Sequence, residues 1–293
     1  GKHSCHFDGY HDQARDKENT KYLLEEESSL DKNRNYMPRE QGSGEILSEL
    51  KGSMKGKEML VKFYTLGPNN SDFSIPALQI TDSAYVLHSE DLLYRQGYQE
   101  FKNLNGSNKF FSFLHSAGEL ENNVSKNIDQ RKIYIDLKSD RVFSVNTQYA
   151  GNSLGLKKLA FRLAIKKAAE ENWLAEHMFI SSIENKNQKK TYFAGAFPSG
   201  CGKTSTAMIP GQKIVGDDLA YLKNIDGILK AVNVEKGIFG IINDLNEHNN
   251  PNIYNALNAA EEVVFSNVLI NKGKAFWEGM GEEIPAQGIN FSG

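Results

Sequence analysis

One run in this chain is built for phosphate. Residues 191–222 read "TYFAGAFPSGCGKTSTAMIPGQKIVGDDLAYL". The apolar start reads as a strand and "STAMI" as the opening of a helix, with Gly-Cys-Gly-Lys-Thr turning between them. Backbone N–H groups in such a turn point inward and bind phosphate oxygens beside a helix N-terminus. Lys203 is placed to reach terminal phosphates, and the Thr204 hydroxyl suits a Mg²⁺ or Mn²⁺ carried by a nucleotide. The spelling departs from the usual phosphate loop, which needs Gly where this chain has Phe197.

Four other groups have chemistry-bearing residue types. Asp217 and Asp218 follow the short apolar run "KIVG", and carboxylates at a strand end suit a divalent cation. Side chains of strand neighbours point to opposite faces, so one carboxylate would ligate and the other orient it. An acidic turn capping the next segment is the equal alternative. His177, inside "NWLAEHMFI", fits a core histidine as well as a ligand. Lys157 and Lys158 read as a solvated helix face. His3, Cys5, His6 and His11 have metal-binding side chains but no ligand spacing, and read as incidental.

These groups need elements to hold them. Residues 1 to about 55 are polar, and "EEESSLDKNRNYMPREQGSGE" reads as exposed loop with short helical pieces. "EMLVKFYTLG" and "ALQITDSAYVLH" read as strands. "KIYIDLKSDRVFSVNTQYA" reads as a strand pair turning at Lys138 to Asp140. The period then changes. Leu156, Leu159, Leu163, Ala164 and Ala168 share one stripe, which predicts an amphipathic helix from a Ser153 N-cap to about Asn172. Strands return at "TYFAGAF", "KIVG", "LKAVNVE", "IFGII" and "VVFSNVLI", and the last residues read as loop.

The bulk composition sets outer bounds. The 293 residues are 39% hydrophobic and 24% charged, which supports a packed core of one large or two ordinary domains. A net charge of -3 argues against a nucleic-acid partner. Cys5 and Cys201 are far apart, which fits a reducing, cytoplasmic setting. No eighteen-residue apolar run predicts a membrane span. The opening residues lack both an initiator Met and the apolar segment of a signal peptide, so the chain is expected to begin inside a longer protein.

Together the motifs "YAGNSLGLKK", "WLAEHMFI", "FPSGCGKT" and "VGDD", in that order, resemble the GTP-dependent phosphoenolpyruvate carboxykinases, most closely the archaeal-type branch. "LHSAG", "LQITDSAYV", "NVEKGIFGI" and "WEGM" support the match. The resemblance implies an α/β fold of two lobes with mixed sheets and a variant P-loop, truncated at both ends. Residues 1–172 would be a partial substrate- and metal-binding lobe, and residues 173–293 the start of the P-loop lobe.

It also implies roles. Mn²⁺ would be held by Lys158, His177 and Asp218, with Asp217 behind them; a lysine ligand must be neutral to donate its lone pair. Substrate would be held by Arg15, Tyr149, Gly151, Asn152, Lys157 and Ser199. Ser199, Gly200, Cys201, Gly202, Lys203, Thr204 and Ser205 would hold GTP, with a second Mg²⁺ or Mn²⁺ at Thr204. Cys201 would be the family's reactive thiol. Arg15, Lys157, Cys201 and Lys203 form the implied catalytic set. Oxaloacetate would lose CO2, and the enolate would take the γ-phosphoryl group of GTP, giving phosphoenolpyruvate, CO2 and GDP. The family's lid and guanine-stacking aromatics would lie beyond residue 293, so this chain alone is expected to turn over little. Three rival readings are a pyrophosphate-dependent carboxykinase, another P-loop kinase and a non-catalytic nucleotide-binding protein.

Overall fold

The computed structural model describes residues 3–6, 18–25, 35–122, 124–148, 153–197, 201–240, 242–259, 261–266 and 268–289, the side chains of 153–155 excepted. The chain divides into two compact units, Asp8–Asn172 and Trp173–Gly293, the latter joined by Gly1–Phe7. That first stretch contributes strand β1 (His3–His6).

The Asp8–Asn172 unit holds β2 (Thr20–Leu24), β3 (Tyr36–Pro38), α1 (Arg39–Leu50), β4 (Leu60–Leu66), β5 (Ile75–Thr81), α2 (Ala84–Leu93), β6 (Arg95–Gln96), α3 (Tyr98–Asn103), β7 (Phe111–Ser116), β8 (Leu120–Glu121), β9 (Val124–Ser125), β10 (Lys132–Asp136), β11 (Arg141–Val145) and α4 (Ser153–Glu171). Eight strands form one mixed sheet in the order β3-β2-β10-β11-β7-β5-β4-β6. The predicted pair of 132–145 is β10 and β11, antiparallel with Lys132 opposite Val145. Alternation along β5 is strict: Ile75, Ala77, Gln79 and Thr81 are buried while their neighbours are half-buried. All five residues of the predicted stripe on α4 are buried.

Three expectations fail here. The polar run expected as loop contains α1, whose Gly42 and Ile46 are buried. Ile46 joins Leu23, Met37, Tyr134, Phe143 and Val145 in one core cluster. The helix exists because the sheet offers it an apolar face, not because its composition favours helix. "ALQITDSAYVLH" is not all strand. Ser83 caps α2, its Oγ accepting from the Val86 N–H at 3.4 Å. Lys157 is not solvated but 2% exposed, and Lys158 is half-buried.

The second unit adds β12 (Leu174–Glu184), β13 (Lys190–Ala196), α5 (Lys203–Ala207), β14 (Lys213–Gly216), β15 (Leu219–Ile225), β16 (Ile228–Asn233), α6 (Pro251–Asn258), β17 (Val263–Ser266), β18 (Leu269–Asn271) and β19 (Lys274–Phe276). Its main sheet runs β13-β12-β15-β16, with β14 also on β12. β1 pairs in parallel with β17. Around that pair Leu245, Phe265, Val268, Trp277 and Met280 form a second core, with Cys5 packed against it. The Trp277 Nε1–H donates to the Leu245 carbonyl at 2.8 Å. "IFGII" forms no strand among its described residues, and "VVFSNVLI" divides into β17 and β18. No described helix is long and apolar enough to cross a membrane.

Candidate functional site

β12 positions the site. Its first half pairs with β15, Leu174 opposite Leu222 and His177 opposite Leu219. Its second half pairs with β14, Ile180 opposite Gly216. β14 and β15 are therefore one interrupted strand along the same edge, and Asp217–Asp218 is the interruption. The Met178 N–H donates to the Asp218 carbonyl at 2.9 Å, which fixes the break against β12. Asp217 is 3% exposed and turned inward. The Asp218 carboxylate faces the site.

The phosphate-type turn starts from the opposite edge of β12. β13 pairs antiparallel with it, Phe179 facing Gly195. A Cβ at 195 would collide with the Phe179 ring, so the strand needs glycine there. Phe193 and Phe197 flank the same ring edge-on, at 5.9 and 5.7 Å. Phe197 is thus a packing residue, and the glycine this strand requires is at 195, against the Phe179 ring. Past the turn, Gly202 adopts φ 84°, a left-handed conformation open to glycine at little cost. α5 follows at once. The Ser181 hydroxyl donates to the Ala207 carbonyl at 3.3 Å and Asn252 Nδ2 to the Met208 carbonyl at 3.0 Å. Ala207 and Met208 are buried. This short helix is thus seated on β12 and held from α6.

Three expected residues meet here. Lys203 Nζ donates to the Asp218 carboxylate and, at 2.8 Å, to the Asp218 carbonyl. His177 Nδ1 lies 3.5 Å from the same Oδ1, too far for a strong hydrogen bond. Side-chain exposure rises from 12% at Lys203 through 17% at Asp218 to 39% at His177, so the cluster opens to solvent at the histidine. An imidazole nitrogen and a carboxylate oxygen side by side fit a cation of the Mn²⁺ or Mg²⁺ kind. Among the described residues no three His, Cys, Asp or Glu side chains converge on a metal site.

Thr204 is half-buried, while Cys201 and Ser205 are exposed. Neither Cys201 nor Cys5 is in a disulfide. Lys157 and Lys158 are on α4, in the Asp8–Asn172 unit. Arg15, Tyr149, Gly151, Asn152, Ser199, Gly200 and the incidental His11 lie outside the described residues. The sequence reading missed that Lys203 and Asp218 pair with each other. No local signal marks this pair, because Lys203 starts α5 after β13 while Asp218 lies on the far edge of β12, and only the sheet order brings them together.

A second polar cluster lies in the Asp8–Asn172 unit, where β5, β7 and β11 end. His115 is 1% exposed, and its Nδ1 is 2.7 Å from Thr81 Oγ1. Its Nε2 bonds the Thr147 carbonyl. Burial pushes the imidazole pKa down, against the Thr147 carbonyl and Asp82, which act the other way. Burial alone would raise the Asp82 carboxyl. Donors from Lys57, Ser116 and the Ala117 N–H outweigh it and hold Asp82 below its ordinary value.

Comparison with known proteins places the chain in a family. The family model for the phosphoenolpyruvate carboxykinase N-terminal domain matches residues 1–169, and that for the C-terminal P-loop domain matches residues 173–293. The chain is 57% identical to a phosphoenolpyruvate carboxykinase [GTP] of Pyrococcus horikoshii, over 100% of this chain and 47% of that protein. Identity is 49% to the corresponding protein of Sulfurisphaera tokodaii, over 99% of this chain and 46% of the relative. It is 38% to that of Anaeromyxobacter dehalogenans, over 88% and 44%. The chain thus spans about half the length of the curated relatives it matches.

Proposed function

The chain belongs to the phosphoenolpyruvate carboxykinase family, and from that premise we propose that it supplies the metal site and phosphate loop of a GTP-dependent carboxykinase. The whole protein would convert oxaloacetate and GTP into phosphoenolpyruvate, CO2 and GDP. The observation that carries this reading is the meeting of Lys203, Asp218 and His177 where α5 begins beside the broken strand. A simple nucleotide-binding loop has no use for the histidine.

His177 and Asp218, joined by Lys158, would hold Mn²⁺, which supplies Lewis-acid stabilisation of the negative charge that develops as CO2 leaves. Asp217, buried behind Asp218, orients the turn that carries it. Arg15 and Lys157 hold the anionic substrate in register, with Tyr149, Gly151 and Asn152 completing its pocket. Burial makes Lys157 suited to this, because a desolvated ammonium binds an anion more strongly than an exposed one. Residues 199–205 hold the GTP phosphates. Lys203 neutralises the γ-phosphoryl group as the enolate oxygen attacks it, and Thr204 faces the cation that travels with the nucleotide. Cys201 sits at the exposed mouth of the turn.

The test supplies phosphoenolpyruvate, bicarbonate and Mn²⁺ to the protein as its organism makes it, and follows oxaloacetate with GDP, ADP or phosphate as acceptor. Formation with GDP alone is expected. Formation with phosphate alone transfers the reading to pyrophosphate chemistry. No oxaloacetate with any acceptor overturns it.

A further inference from the structure

We propose that His115 is a positioning residue for the substrate pocket: its Nε2–H grips the Thr147 carbonyl and so sets where the chain leaves the sheet toward Tyr149. The substrate half of this inference rests on the carboxykinase reading; the positioning half does not.

Hydrogen-bond directions in this cluster follow from the atoms. A carbonyl oxygen only accepts, so Nε2 carries the proton toward Thr147. Nδ1 then has a lone pair and accepts from the Thr81 hydroxyl at 2.7 Å. Thr81 Oγ1 in turn accepts the Ser83 N–H at 3.0 Å. One neutral tautomer satisfies the whole line from the α2 cap to residue 147, and the burial that disfavours imidazolium keeps that tautomer in place.

The tethers converge on one short stretch. The Asn146 N–H donates to the Ser116 carbonyl at 3.0 Å. His115 holds Thr147, and the Ser83 hydroxyl donates to Gln148 Oε1 at 3.3 Å. Three consecutive residues are therefore held from β7 and the α2 cap, and the next residue is Tyr149. Thr147 and Gln148 are 1% and 3% exposed, although both are polar. Filling this core would need only an apolar side chain at 115. Such a residue would strip a partner from both Thr81 and Thr147, and a buried polar group losing its partner is costly. The histidine is used because it bridges a hydroxyl donor on one strand and a carbonyl acceptor beyond another.

Two variants separate positioning from mere core stability. In His115→Gln the side-chain amide reaches the Nε2 position and keeps a donor for Thr147, but loses the acceptor for Thr81. In His115→Asn the amide reaches only the Nδ1 position, so the Thr81 bond stays and the Thr147 bond goes. Hydrogen exchange read by mass spectrometry on the chain should show amides of residues 146–156 exchanging about tenfold faster in His115→Asn, with His115→Gln within about threefold of wild type. The protein as its organism makes it should show a similar rise in KM for phosphoenolpyruvate in His115→Asn alone, with kcat less affected. Wild-type exchange at 146–156 in His115→Asn overturns the inference. So does equal loosening of the whole unit in both variants, which is the signature of a purely structural histidine. Local loosening with an unchanged KM removes the substrate half. A wild-type protein with no carboxykinase activity overturns the functional reading instead, and exchange still decides the positioning.

Discussion

Two polar clusters sit at strand ends in this chain, and they are built in opposite ways. At the ends of β5, β7 and β11, His115, Thr81 and Ser116 are almost completely buried, and the donors and acceptors are matched. At the break between β14 and β15, Lys203, Asp218 and His177 open progressively to solvent, and Lys203 occupies the carboxylate that a cation would need. The sealed cluster holds a protonation state and a backbone path. The open cluster holds charges in a form that ligands can exchange. Burial is the physical difference: a desolvated network resists rearrangement because each broken bond leaves an uncompensated group, whereas water covers that loss at a half-open site.

The largest effect expected from breaking the open cluster is on phosphoryl transfer. Lys203→Met should lower it about 10³-fold, as loss of a transition-state charge partner does. The same change should tighten Mn²⁺, because Asp218 loses its resident cation; titration of Mn²⁺ followed by electron paramagnetic resonance checks this. Unchanged or weaker Mn²⁺ binding would show that the Lys203–Asp218 pair does not compete with the metal.

Next, Asp218→Asn or His177→Ala should weaken Mn²⁺ binding by about 100-fold, in line with loss of a direct metal contact. Equal affinity in both variants would remove these residues from the metal site.

The sealed unit contains one group that sharpens the contrast. Glu90 is fully buried on α2, and neither carboxyl oxygen has a hydrogen-bond partner. Burial raises its pKa well above the ordinary 4.5, with Lys62 opposing. The folded chain therefore keeps a proton that the unfolded chain releases above that value. Its contribution favours folding below pH 4.5 and is lost as pH rises toward the raised pKa. Denaturant melts between pH 5 and 8 should show stability falling by up to about 1.4 kcal/mol per pH unit from this residue, and Glu90→Gln should remove that slope. An identical slope in the variant would mean that Glu90 is ionised in the folded chain. Asp82 acts with the opposite sign: its lowered pKa adds stability at neutral pH that is lost on acidification.

The smallest effect is expected at the α2 cap. Ser83→Ala should cost about 1 kcal/mol of unfolding free energy, measured by urea denaturation. A loss within error would show that the long 3.4 Å cap bond contributes little.

Much of the fold was legible because its signals are local. Short apolar runs marked β4 and β5, turn residues marked the β10–β11 hairpin, and the 3.6-residue stripe marked α4. The errors have physical causes. α1 has a polar, glycine-containing sequence and is helical because a sheet face lies beneath Ile46. "ALQITDSAYVLH" changes from strand to helix at a capping serine inside an apolar run. "IFGII" has strand composition, but no partner strand runs beside its described residues. The candidate site divides the same way. Lys203, His177 and Asp218 were found as residue types. Their mutual pairing was not, and neither was the role of His115 within "LHSAG", because both depend on which strand lies next to which.

The sequence by itself determined the family and marked a candidate phosphate-type turn and candidate cation ligands, since these are properties of order and spacing along the chain. Tertiary structure alone decided that Lys203 rests on Asp218, that Lys157 is buried rather than solvated, that Phe197 is a packing residue, and that His115 faces a carbonyl 32 residues away. Each of those depends on strand pairing between distant segments. Pairing is chosen by the combined burial of many residues, and no local pattern encodes it.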